Sequence, residues 1–121
     1  MTSIPTEADF KRAKRRMRER FRGVDEVSQS VVSAFETRVP LHYFYLMPQR
    51  NDFRAYVFYN TDEEVRRFEA LGLNQEIRDF VYTELERVGR GARDQIHVEF
   101  EFDSYENVEA KYEGDYFLRL R

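Results

Sequence analysis

Gln95-Ile96-His97-Val98-Glu99-Phe100-Glu101-Phe102-Asp103 is the stretch whose reading decides the fold. Apolar Ile96, Val98, Phe100 and Phe102 alternate strictly with His97, Glu99, Glu101 and Asp103. Successive side chains of a strand point to opposite faces. This strand therefore carries an apolar strip on one side and three acids with a histidine on the other. Aromatic and β-branched residues on the buried side suit a pleated, half-covered surface. The rest of the chain must supply the elements that cover the strip.

Upstream, Ile77, Phe80, Val81, Leu85 and Val88 recur at helical spacing, with Asn74 expected as the cap and Gly89-Arg90-Gly91 as the stop. Before it, Thr61 and Glu64 have the spacing of a capping box, in which each side chain satisfies a free backbone donor of the first turn. That helix carries Val65, Phe68 and Leu71 and ends at Gly72. Leu41 to Met47 and Phe53 to Tyr59 read as two aromatic strands, apolar at nearly every position. The turn formers of Pro48 to Asp52 join them into an antiparallel hairpin.

Residues 24–39 match both periods, since Val24, Val27, Val31 and Phe35 fit a helix and Val31, Ser33, Phe35, Thr37 and Val39 a strand. The longer match and the Asp25-Glu26 start favour helix, ended by Pro40. Thr6 begins a first helix over about 6–22, whose stripe of Phe10, Ala13, Met17 and Phe21 is expected to dock on the core. Downstream of the opening strand, Ser104 caps a short helix through Tyr112, and Asp115 to Leu120 is expected as a last strand. The order α-α-β-β-α-α-β-α-β implies an α+β fold over residues 1–121 as a single domain. Its sheet should be antiparallel or mixed, with three to four strands packed by helices.

The 121 residues include eleven Phe, eight Tyr and no Cys. Aromatic content of this order supplies a core, and the lack of cysteine excludes disulfides, thiolate metal sites and a cysteine nucleophile. No apolar run approaches a membrane span, and residues 1–22 lack the apolar segment of a secretory signal. A cytoplasmic protein with no membrane partner is the expectation. The net charge of −3 is strongly segregated. Residues 1–22 hold eight bases and three acids, a net +5, and the remainder carries −8. The acidic C-terminal third, residues 94–121, holds eight acids and three bases.

Three functional readings follow. The first is a non-enzymatic protein-binding domain that meets a basic protein partner through Glu99, Glu101, Asp103, Tyr105, Glu106, Glu109 and Tyr112. Carboxylates beside tyrosines suit an interface, where the ring gives contact area and the hydroxyl tolerates a wet rim. Small acidic domains of this physical character include inhibitors and immunity proteins that cover a basic nuclease toxin, although no motif ties the chain to such a family. On this reading the strand acids should be exposed and unpaired. The second is a nucleic-acid-binding regulator that uses Arg12, Arg15, Arg16 and Arg18 of the first helix on phosphates. The third is a metal-assisted or acid–base enzyme using the His97–Asp103 face. No Gly-x-Ser-x-Gly elbow, phosphate loop or zinc spacing is present. No catalytic residue, metal ligand or cofactor is therefore assigned.

Overall fold

The computed structural model describes residues 4–50 and 52–121. Its elements run α1 (Glu7–Arg20), α2 (Val24–Phe35), β1 (Tyr43–Gln49), β2 (Asp52–Tyr59), α3 (Asp62–Ala70), α4 (Leu73–Arg87), β3 (Val98–Ser104), α5 (Tyr105–Tyr112) and α6 (Tyr116–Arg119). The fold is α+β, with a mixed sheet of order β1-β2-β3. β1 and β2 form the expected antiparallel hairpin, with Tyr45 opposite Tyr56. Its turn is tighter than the sequence suggested, because β1 runs on through Pro48 to Gln49. Proline fits there because β1 is an edge strand, where a missing N–H donor breaks no ladder. Residue 51 of this turn lies outside the described residues. β2 and β3 run parallel, with Ala55 beside Phe100, and α3 and α4 form the crossover that a parallel pair requires.

Strand alternation divides the sheet into two faces. On the inner one, Phe44 and Leu46 of β1, Phe53, Ala55 and Val57 of β2, and Val98 of β3 are buried. They pack against Val24, Val27, Val31 and Phe35 of α2 and Ile77, Val81 and Leu85 of α4. The α2 residues lie at i, i+3, i+7 and i+11, so the helical reading of this ambiguous segment holds. On the outer face, Tyr56 and Phe58 meet Val108 of α5, with Tyr45, Tyr112, Tyr116 and Leu120 around them. Both faces are therefore covered, as the two apolar hairpin strands implied.

Three expectations are corrected. Residues 115–120 form no strand. Asp115 caps a single helical turn by accepting from the Phe117 N–H, and Tyr116 and Leu120 turn together onto the outer face. Six residues of alternating character match either period, and the available apolar surface decides between them. Asn74 is not a cap: Gly72, at φ 79°, takes that position. Asn74 instead lies buried inside α4, accepting from the Tyr59 hydroxyl and donating to Glu69. Its amide thus satisfies a phenol that β2 turns into the core.

The third correction concerns α1, none of whose residues is buried. Phe10, Met17 and Phe21 remain 65%, 54% and 43% exposed. The helix holds itself. Thr6 and Asp9 form a reciprocal capping box, and Lys11–Glu7, Arg12–Asp9 and Arg22–Glu19 pair along its surface. A cap is worth about 1 kcal/mol and each such pair a few tenths. Gly23 then redirects the chain into α2 at φ 78°. A Cβ there would lie 2.7 Å from Val88 Cγ2, so neither the dihedral nor the space admits another residue.

Candidate functional site

The acidic row of β3 lies on the outer face, and the strand register determines its partners. Glu99 stands beside Arg54 of β2, and their side chains pair at 3.0 Å. Glu101 and Asp103 stand beside Tyr56 and Phe58 and share a single cation, Arg119 of α6. Arg119 Nη2 donates to Glu101 Oε1 at 3.0 Å and Nε donates to Asp103 Oδ2 at 2.8 Å. Its side chain is only 14% exposed. The guanidinium also lies 5.6 Å from the centre of the Phe58 ring. Burial works against the Arg119 charge, and the hydrogen bonds to Asp103 and Glu101 more than offset it, holding its pKa above the ordinary value. Asp103 accepts further from Asn107 Nδ2 and the Ser104 N–H.

The expectation that these three acids stand unpaired is therefore overturned, and of the three only Asp103 is well covered, while Glu99 remains exposed as expected. The three acids are held by two arginines within the chain, which leaves one negative charge in place of three to attract a basic partner. The remaining residues of that set are also mostly engaged. Glu106 accepts from the Asp62 N–H at the start of α3. Tyr105 is half-buried, its ring 4.2 Å from that of His42. Tyr112 packs in the outer aromatic cluster beneath Arg119. Glu106 and Glu109 are both exposed and, among the described residues, free of ion pairs, and Glu109 accepts no hydrogen bond there either.

The chemistry available to this face is limited. Among the described residues no three His, Asp or Glu side chains are grouped to hold a metal ion. His97 precedes β3 and is exposed, with its backbone N–H on Asp52 Oδ1. His42 pairs through Nδ1 with the Tyr116 hydroxyl. Burial, with Tyr105, Asp103 and Tyr43 nearby, pushes the Tyr116 phenol up to about 12. A phenol held neutral by its surroundings joins the residue before β1 to α6 and offers no base at neutral pH.

The strongest uncompensated surface lies instead on α1. Arg12 pairs with Asp9, but Lys14, Arg15, Arg16 and Arg18 have no ion pair among the described residues. The exposed Phe10 and Met17 line the same helix. The body grips only its C-terminal end. Arg90 Nη1 donates to the carbonyls of Arg20 (2.9 Å) and Arg22 (2.8 Å), while its guanidinium lies 4.8 Å from the Phe53 ring centre. Arg22 Nη1 donates to the Val88 carbonyl at 3.0 Å. Burial first, and then the neighbouring Arg22, lower the pKa of Arg90.

No protein-family model, curated protein or solved structure matches this chain.

Among the described residues no helix is long and apolar enough to cross a membrane. The sequence named Arg15, Arg16 and Arg18 but missed Arg54, Arg90 and Arg119. The partners of those three depend on strand register and on where the termini of α1 and α6 fall. No local pattern records either.

Proposed function

We propose that the protein is a non-enzymatic protein-binding domain whose working surface is α1. The observation that carries this reading is a 14-residue helix with no buried residue, an apolar stripe largely left in water and five bases without an ion pair among the described residues. A helix of this length is marginal alone and gains most of its stability from packing. Here the stripe stays largely exposed, with Ala13 and Met17 bordering a cleft beside the β1–β2 turn. Covering Phe10, Met17 and Phe21 would contribute about 1–2 kcal/mol each, from which the cost of association must be subtracted.

The partner is an acidic protein with an apolar groove. Helix-in-groove recognition reads anchors at i, i+3, i+7 and i+11, the spacing of Phe10, Ala13, Met17 and Phe21. The flanking bases would steer and orient an acidic rim. Two α1 helices pairing with each other would juxtapose like charges along their length, which disfavours self-association through this helix. Nucleic acid is the weaker reading for two reasons. Phosphate contacts would leave the apolar stripe wet. The remainder of the chain, at −8, would repel a polyanion at close range.

The test places a photo-crosslinking residue at Phe10 or, separately, at Glu109 of α5, in the protein's native cells. An adduct with one acidic protein from position 10, absent after Arg15→Glu, Arg16→Glu and Arg18→Glu, is the expected result. Adducts with nucleic acid would transfer the function to the second reading. Protein adducts only from position 109 would return it to the acidic third.

A further inference from the structure

Beneath the C-terminal half of α1, where it passes the β1–β2 turn, lies a cleft of about 720 Å³. Ala13 and Met17 give it an apolar wall, and Arg16, Arg20, Arg50 and Arg90 line the rest. A smaller depression of about 340 Å³ shares Arg50 and Arg90 and continues over Phe53, Gln95 and Ile96. Arg50 and Arg90 thus stand between two compartments with apolar surface in each.

Four guanidiniums line this groove, and among the described residues none pairs with a carboxylate. The one acid in the lining, Glu19, is already held by Arg22 at 3.0 Å. Each guanidinium has five N–H donors. Arg90 directs Nη1 at two backbone carbonyls, and Arg20 directs Nη2 at the Pro48 carbonyl at 3.4 Å. Arg16 and Arg50 make no hydrogen bond among the described residues, so most donors around the groove are open. Like charges gathered this way repel one another unless an anion sits among them.

The hairpin places one of these guanidiniums at the rim. Arg50 has φ 44°, a left-handed conformation that a non-glycine residue adopts at a cost of about 1 kcal/mol. The tight turn between β1 and β2 requires that conformation, so it is the hairpin that sets the position of this residue. Here it carries an arginine at the rim of the groove.

The geometry points to a binding groove for a phosphorylated small molecule of about nucleotide size, its phosphates between Arg16, Arg20, Arg50 and Arg90 and its organic body against Met17 and Ile96. Guanidinium forks match phosphate oxygens two at a time, and four of them call for a multiply charged group. The volume lies within the range of small-ligand sites. The groove shares Ala13, Arg16 and Met17 with the surface proposed for the protein partner, so the two ligands would compete for it, but the small molecule needs no partner in order to bind.

Calorimetric titration of the full chain in a buffer free of multivalent anions tests it, with magnesium-free ATP, pyrophosphate, inorganic phosphate and citrate as probes. Saturable one-to-one binding of ATP or pyrophosphate is expected. Arg16→Ala and Arg50→Ala should each weaken it about tenfold or more, the value of a lost charge-assisted hydrogen bond. Arg18→Ala, which removes the same charge from α1 outside the groove, should leave it unchanged. All three variants should keep the native melting temperature without ligand. Non-saturable binding, equal weakening by Arg18→Ala, or citrate binding more tightly than pyrophosphate would each overturn the assignment.

Discussion

Replacing Arg119 by alanine separates a structural acidic face from an interacting one. Arg119 bridges Glu101 and Asp103 and packs near Tyr56, Phe58 and Tyr112, with 14% of its side chain exposed. Removing one partner of a fully buried ion pair costs 3–5 kcal/mol, because the other charge is left without compensation. Asp103 is close to that limit at 17% exposed, whereas Glu101, at 41%, can recover water. The loss should therefore be about 3 kcal/mol, equivalent to roughly 10 °C in melting temperature for a chain of this size. Urea unfolding followed by circular dichroism measures it. Adding Asp103→Asn and Glu101→Gln to Arg119→Ala should recover at least half, since the uncompensated charges then disappear. A single variant within about 0.5 kcal/mol of the native protein would refute the reasoning, because that is the value of an exposed pair.

Tyr59→Phe removes the hydroxyl that donates to Asn74 Oδ1 in the core, leaving a buried acceptor unsatisfied. Stability should fall by about 1–3 kcal/mol, and an unchanged urea midpoint would show that the bond contributes nothing. Glu84 titrates below the ordinary glutamate value because Arg87 hydrogen-bonds it, against the opposing effect of burial. A depressed folded pKa stabilises the protein above the unfolded value, and that contribution is lost as pH falls through the folded one. Glu84→Gln should thus be less stable than native at pH 7, with the gap closing as unfolding is measured towards pH 3. A gap constant across that range would contradict the linkage.

The fold was legible where a residue's neighbours along the chain determine its state. Thr61 and Glu64 form the capping box that their spacing predicted, and Val24, Val27, Val31 and Phe35 face the core as one helical stripe. The alternation of Val98, Glu99, Phe100, Glu101 and Phe102 gave the faces of β3 correctly. It said nothing about Arg54 or Arg119, because a strand acid acquires its partner from register and from elements far along the chain. Asp115 to Leu120 was too short for its period to be read. Phe10, Met17 and Phe21 showed a real stripe, but a stripe records only that something apolar should cover it. It does not say whether the cover belongs to the same chain.

That distinction decides the role of α1, and it can be measured on one variant, Phe10→Ser, Met17→Ser and Phe21→Ser combined. Serine and phenylalanine have similar helix propensity, so the helix itself is barely perturbed. The measurement is the yield of protein adduct from a photo-crosslinking residue at Lys14 in native cells, compared with the same reporter in the unsubstituted chain at matched unfolding free energy. Loss of the adduct, with stability within about 0.5 kcal/mol at each exposed site, is the predicted result. An adduct that persists at full yield would contradict a docking role for the stripe. A fall in stability of several kcal/mol would show that α1 packs on its own body.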